Sequence, residues 1–321
     1  MTPSEKKEKI PVPSSINFTN NVMMVRPACF GYNEETALDN AFQTQISGMT
    51  SQEISEKAVQ EFELLANKLQ ENNINVELIE DTKKTESPDA VFPNNWISFH
   101  EPHFVITYSM LSKKRRTERR DSIIEVIKQK YEVKDRYNYE KFEAEEKYLE
   151  GTGSMIFDRV NKIIYACRSV RTNEDLFRQF CKELGFLSVL FDAKDKDEKS
   201  IYHTNVMLCI GNDFVVICLD AVRDKADRMM LEKSFEISGK EVIEISLDQM
   251  CQYAGNMIQL TNNEGDFFLI MSSSAYNSLD DSQLTRLKAK TNIIHSDLST
   301  IETLGGGSAR CMIAEIFLNK K

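Results

Sequence analysis

Near the C-terminus, Gly305, Gly306 and Gly307 lead through Ser308, Ala309 and Arg310 to Cys311. Glycine permits backbone conformations and close approaches that other residues resist, so such a loop can present one thiol to a bound molecule. Two further motifs supply what that thiol needs. His203 stands in Tyr202-His203-Thr204-Asn205, and Glu150 in Leu149-Glu150-Gly151-Thr152-Gly153. A cysteine, a histidine and a carboxylate on separate loops are the parts of a thiol hydrolase. A free cysteine is only a few per cent thiolate at neutral pH, so an attacking one gains from nearby positive charge. His203 and Arg310 are the candidates for that charge. Histidine can alternate between acid and base because its ordinary pKa lies close to the working pH.

The remaining cysteines, at 29, 167, 181, 209, 218 and 251, form no C-x-x-C pair and bring the total to seven. Neither a disulfide framework nor a zinc site is expected, and Cys209 and Cys218, inside apolar runs, read as core residues. No His/Cys/Asp cluster has metal-ligand spacing, and the glycine run lacks the lysine of a phosphate loop. No cofactor and no metal are expected.

A net charge of -10 argues against a nucleic-acid partner, which requires clustered cations. The one basic cluster, Lys113 to Arg116 with Arg119 and Arg120, is expected on the solvated face of a helix over 114–131. No apolar run approaches the roughly 20 residues of a membrane span, so no membrane partner is expected. The N-terminal sequence lacks the apolar segment of a secretory signal. Residues 1–20 read as a flexible tail and 21–321 as a single domain. Thiol chemistry points to the cytoplasm. The oligomeric state is left open, a homodimer included.

The elements that must bring these residues together follow a recurring order. From Thr50 onward, Ile54, Ala58, Phe62, Leu65, Ala66 and Leu69 share one helical face, with Thr50 and Glu53 as a capping box, and Val76 to Ile79 reads as a strand. Four rounds of hairpin, helix and strand then begin near Trp96, Met155, Val206 and Ile258. Their spacing of roughly 50 residues is that of modular α/β or propeller-like architectures, whose loops can converge on one centre.

Six motifs in order carry a resemblance: Met24-Val25-Arg26-Pro27, Pro88-Asp89-Ala90-Val91-Phe92-Pro93-Asn94-Asn95-Trp96, Leu149 to Gly153, Arg171-Thr172-Asn173, Tyr202 to Asn205, and Gly305 to Met312. The chain resembles the guanidino-group-modifying enzymes, which comprise arginine deiminases, dimethylarginine dimethylaminohydrolases and amidinotransferases. The Phe-Pro-Asn-Asn-Trp and Tyr-His-Thr-Asn versions look like the branch associated with citrulline hydrolysis. The resemblance implies a five-module α/β propeller, the pentein fold, with pseudo-fivefold symmetry. It implies Cys311 as nucleophile, His203 as acid and base, and Glu150 as the carboxylate that binds substrate nitrogens. Arg171 matches the arginine that grips a substrate α-carboxylate, and Asp89 the aspartate that binds its α-amino group.

Two positions depart from the deiminase pattern. Asn95 and Asn205 stand where aspartates embrace a cationic guanidinium, and a buried cation without carboxylates is costly. A neutral ureido group can exchange hydrogen bonds with amides. The expected substrate is therefore a small amino acid such as citrulline, cleaved to ornithine, ammonia and carbon dioxide. The alternatives are an arginine or methylarginine deiminase, an amidinotransferase, and a catalytically silent amino-acid sensor.

Overall fold

The computed structural model describes residues 10, 11, 17–84 and 87–321. Of the expected tail, residues 1–9 and 12–16 lie outside that set, while Ile10 is buried and the Thr19 hydroxyl donates to the Ile316 carbonyl at 2.8 Å.

Among the described residues the strands form five three-stranded sheets. Each combines one antiparallel and one parallel pairing. Four of them are the sequence-derived rounds: Ile97–His100, Phe104–Thr107 and Asp135–Asn138; Ile156–Asp158, Ile163–Cys167 and Leu187–Phe191; Leu208–Ile210, Phe214–Ile217 and Glu241–Glu244; Ile258–Thr261, Phe267–Ser272 and Asn292–Ser296. The fifth is assembled from both ends of the chain, with Ala314–Glu315 antiparallel to Asn21–Arg26 and the latter parallel to Asn75–Glu80. Parallel neighbours need a long crossover, supplied by the helices Ser51–Glu71, Asp121–Lys130, Glu174–Leu184, Lys225–Ile237 and Asp281–Lys288.

Local chemistry sets these helices. The Thr50/Glu53 capping box is formed, and Ala58, Phe62, Leu65, Ala66 and Leu69 are buried along one face. Burying a leucine or phenylalanine contributes about 1.5–3 kcal/mol, so truncating Phe62 to alanine is the single change most damaging to this helix. Asn173 caps Glu174–Leu184 by accepting from the Leu176 N–H, and Gly185 ends it at φ 73°.

The expected helix over 114–131 is shorter than its pattern. Its regular part is Asp121–Lys130, with Ile123, Ile124 and Ile127 buried. Arg115–Glu118 forms a separate 3-10 turn, and Arg119 and Arg120 are extended. The cluster is therefore no solvated helix face: Arg115 is only 3% exposed and ion-pairs with Glu118 at 2.9 Å. Charge pairing, which periodicity does not register, takes this segment out of the helix.

Among the described residues, no helix is long and apolar enough to cross a membrane.

Candidate active site

The first strands of the five sheets pack against one another in pairs: 156–158 with 208–210, 208–210 with 258–261, and 97–100 with 314–315. The segments leading into them carry a recurrence: Asn95-Trp96-Ile97, Ser154-Met155-Ile156, Asn205-Val206-Met207, Asn256-Met257-Ile258 and Cys311-Met312-Ile313. In each, a small polar or thiol side chain precedes two apolar ones that enter the core. The repeat thereby delivers a polar or thiol side chain to the start of each of these strands.

Glu150 precedes the short helix Gly151–Ser154 and is completely buried. Its Oε1 accepts from the Leu111 N–H at 2.9 Å, its Oε2 lies 2.8 Å from Nε2 of His203, and Arg171 Nη1 is 3.6 Å away. Burial resists the charge, but Arg171, the His203 hydrogen bond and Arg115 overcome it and push the carboxyl down to about 2. An ionised carboxylate only accepts, so Nε2 holds the proton and Nδ1 is the ring's basic nitrogen. Burial moves His203 below its ordinary value, with Glu150 opposing the shift. Gly153 is required here, because a Cβ on it would meet Asn95 Nδ2 at 2.3 Å and His203 Nδ1 at 2.9 Å.

Cys311 is 4% exposed, and its sulfur accepts from Asn205 Nδ2 and from Asn256 Nδ2, both at 3.3 Å. Asn256 is itself held, donating to the Asn205 carbonyl at 2.9 Å and accepting from the Arg310 N–H at 3.1 Å. Two amide donors thus converge on the Cys311 sulfur. The expected contribution of Arg310 is corrected by the structure: its guanidinium turns away, to the Ile313 carbonyl and to Glu315, each within 2.9 Å. Burial pushes the Cys167, Cys181 and Cys209 thiols up to about 12, which suits inert core positions.

Arg171 is buried beside the site, but its fork is occupied by Asp39, with Nε to Oδ2 at 2.7 Å and Nη2 to Oδ1 at 2.6 Å. Asp89 Oδ2 accepts from Asn33 Nδ2 at 2.6 Å, and burial pushes its carboxyl up against the opposing pull of Arg115 and Arg171. Arg115 donates to Asn95 Oδ1 at 2.9 Å and to the Phe92 carbonyl at 3.2 Å.

Asp89, Asn95, Arg115, Arg171, His203 and Cys311 line one cavity. It measures about 10 Å³, room for no more than a single water. Segment 33–43 covers it through Asp39, through Asn40 Nδ2 to the Gly306 carbonyl at 3.2 Å, and through Gln43 Nε2 to the Leu304 carbonyl at 2.9 Å. A cleft of about 620 Å³ lies outside this segment, and Tyr202 lines both spaces.

All seven sequence-derived site residues are buried, and hydrogen bonds, ion pairs or this cavity link them. Sequence reasoning missed Arg115, Asn256 and Asp39. The Arg115-x-x-Glu118 spacing pointed to the first, and the repeat shared with Cys311-Met312-Ile313 to the second. Asp39 had no local signal. Among the described residues, no group of three His, Cys, Asp or Glu side chains is arranged to hold a metal.

The family described as N,N dimethylarginine dimethylhydrolase, eukaryotic, matches residues 26–318. No curated protein matches the sequence. Among solved structures, the chain is similar to ArgZ, an arginine dihydrolase from the ornithine–ammonia cycle in cyanobacteria, at TM-score 0.71 and 18% identity, over 93% of this chain and 41% of that one. It therefore spans about two-fifths of full-length ArgZ. Against the N-terminal domain of ArgZ bound to product, the TM-score is 0.70 at 18% identity, over 93% and 97% of the two chains. Against a dimethylarginine dimethylaminohydrolase adduct with S-methyl-L-thiocitrulline, it is 0.64 at 16% identity, over 93% and 100%. These likenesses establish a shared mixed α/β fold. With the match spanning nearly all of its length, the chain belongs to the eukaryotic N,N-dimethylarginine dimethylhydrolase family, within the guanidino-group-modifying hydrolases of carbon–nitrogen bonds other than peptide bonds.

Proposed function

We propose that this protein is a cysteine-dependent hydrolase that converts citrulline to ornithine, ammonia and carbon dioxide. The observation that carries the reading is the orientation of two buried amides. Arg115 donates to Asn95 Oδ1, which leaves Asn95 Nδ2 as a donor without a partner among the described residues. Asn205 Nδ2 donates to the Cys311 sulfur, which leaves Asn205 Oδ1 as an acceptor without one. One donor and one acceptor match the C=O and NH2 of a ureido group, whereas a guanidinium offers donors only and would leave Asn95 Nδ2 unsatisfied.

In this reading, the Cys311 sulfur attacks the ureido carbon and passes its proton to His203. The bond from that carbon to the terminal nitrogen breaks, and His203 protonates the departing ammonia. A thiocarbamate remains on Cys311. Water, deprotonated by His203, then breaks the C–S bond, and the carbamate released loses carbon dioxide to leave ornithine. Glu150 holds the imidazole in its tautomer and stabilises it when protonated. Asp89, with Oδ1 unpartnered among the described residues, receives the α-amino group. Arg171 receives the α-carboxylate once Asp39 withdraws, and the cover over the 10 Å³ cavity opens for entry. The five sheets, one joining both chain ends, support residues 21–321 as a single five-module domain around this centre.

A second reading takes arginine as the first substrate, as in the dihydrolase ArgZ. The ionised Glu150 favours it, since a carboxylate can receive guanidinium N–H groups.

The test is product analysis by mass spectrometry after incubating wild type and Cys311→Ala with citrulline, arginine, agmatine and methylated arginines. Ornithine from citrulline, reduced at least about 10³-fold in the variant, is the expected result. Citrulline formed from arginine, with citrulline itself untouched, overturns the amide argument. Binding without turnover of any candidate selects the sensor.

A further inference from the structure

Toward the far ends of the first strands of the sheets, around Ile156–Asp158, Leu208–Ile210 and Ile258–Thr261, lies a second cavity, of about 30 Å³, which shares no lining residue with the first. Ile156, Phe157, Arg159, Cys209, Gln259 and Arg310 are among its walls. Nothing in the proposed reaction uses it.

Arg159 is 4% exposed, its guanidinium lying 4.7 Å from the centre of the Phe157 ring and 4.0 Å from that of Phe317. Among the described residues it has no carboxylate within ion-pair distance. Its one hydrogen bond there runs from Nη1 to His100 Nδ1, at 3.3 Å. His100 accepts on Nδ1 and bonds Ser98 through Nε2 at 2.7 Å, as the neutral ring does, and burial pushes it well below its ordinary value. It therefore supplies no counter-charge. Among the described residues, Glu315 and Glu101 act on Arg159 only from beyond ion-pair distance. Glu315 is taken by Arg310 at 2.8 Å, and the neighbouring Asp158 lies 3.5 Å from Lys240. Among the described residues, two guanidinium groups and one carboxylate line the cavity, an excess of one positive charge in its walls.

Gln259 supplies an independent indication. It is 1% exposed, and its Oε1 accepts from the Asn212 N–H at 2.7 Å. Only the oxygen end can accept from an N–H, so the amide orientation is determined and Nε2 faces the other way. Nε2 is buried without a hydrogen-bond partner among the described residues. A buried guanidinium lacking an ion pair and a buried N–H2 lacking an acceptor are each destabilising alone. One species offsets both: an acceptor carrying a single negative charge. A space of about 30 Å³ takes a halide and excludes an amino acid or a phosphorylated metabolite.

We propose that Arg159 and Gln259 form a binding site for a small monovalent anion of chloride size, in a cavity separate from the one that Cys311 lines. The site holds its ion structurally, without contact with the reacting atoms.

The experiment is crystallography of the full chain grown with sodium bromide, together with thermal unfolding in chloride, formate and gluconate at constant ionic strength. An anomalous bromide peak within hydrogen-bond distance of Arg159 and Gln259 is expected. So is a saturable rise in Tm of about 2–4 °C in chloride, but not in gluconate, which is too large. Gln259→Glu places a carboxylate in the site and is expected to abolish the chloride dependence while the protein stays folded. Arg159→Met, which keeps the packing volume and removes the charge, is expected to abolish the bromide peak. Formate acting at lower concentration than chloride identifies a carboxylate site and overturns the halide assignment. An ordered water with no anomalous signal, or equal Tm in chloride and gluconate, overturns the proposal altogether.

Discussion

The two cavities handle buried charge in opposite ways. At the Cys311 cavity, each arginine has a carboxylate from the chain itself: Arg171 has Asp39 and Glu150, and Arg115 has Glu118. At the second cavity, Arg159 has no such partner among the described residues. In the proposed reaction, where charge is satisfied internally, recognition falls to neutral groups whose dipoles are oriented by the pairing, as Arg115 orients Asn95. Where it is not, the charge itself selects the ligand. A buried ion pair contributes little to net stability. At the Cys311 cavity its value is geometric.

The sharpest way to break this comparison is to put charge back among the dipoles. Asn95→Asp combined with Asn205→Asp should shift the ratio of kcat/KM for arginine over citrulline by about 10³-fold toward arginine. An unchanged ratio would show that the amide orientation does not set selectivity.

A second test uses pH. Glu150 has its folded-state pKa lowered to about 2, so its contribution is present above its unfolded value and is lost as pH falls through about 2. The loss amounts to roughly 3 kcal/mol. His203, also lowered by burial, adds a decline that begins as pH falls below its ordinary value of 6.5. Urea unfolding at pH 7, 5 and 3 should show stability falling with acid. In Glu150→Gln the slope between pH 5 and 3 should be shallower, and an identical slope would remove Glu150 from this role.

Asn256→Ala removes one of the two donors to the Cys311 sulfur and should lower kcat about 30-fold with little change in KM. A rise in KM alone would make Asn256 a scaffold residue. The smallest effect is expected from Asp39→Asn, which frees the Arg171 charge and makes this cavity more like the other. KM should fall by about 10-fold for substrates carrying an α-carboxylate and stay unchanged for agmatine, which has none. An equal change for both would mean that Asp39 only fastens the cover.

Much of the molecule is legible without coordinates. The Thr50/Glu53 box, the Asn173 cap and Gly185 mark helix ends because each satisfies backbone groups within three or four residues of itself. Cys311, His203, Glu150, Asp89, Asn95, Arg171 and Asn205 stand out in sequence for another reason, since their motifs combine unusual glycine and proline placements with polar or thiol side chains, and the structure buries all seven around one cluster. Arg115 was misread because a run of cations looks the same whether it faces water or a buried glutamate.

The sequence alone determined most of the helices, the hairpins and the roughly 50-residue rhythm, because propensity and capping act over a few residues. Only the tertiary structure decided that Ala314–Glu315 pairs with Asn21–Arg26, that Arg310 faces Glu315 and away from the thiol, that Asp39 occupies Arg171, and which atom of Asn95 is left unpartnered among the described residues. Those outcomes depend on partners as many as 293 positions apart in the chain, as in the Val22–Glu315 pairing. Ion pairs and hydrogen bonds are settled by separation in space, and separation along the chain carries no information about them.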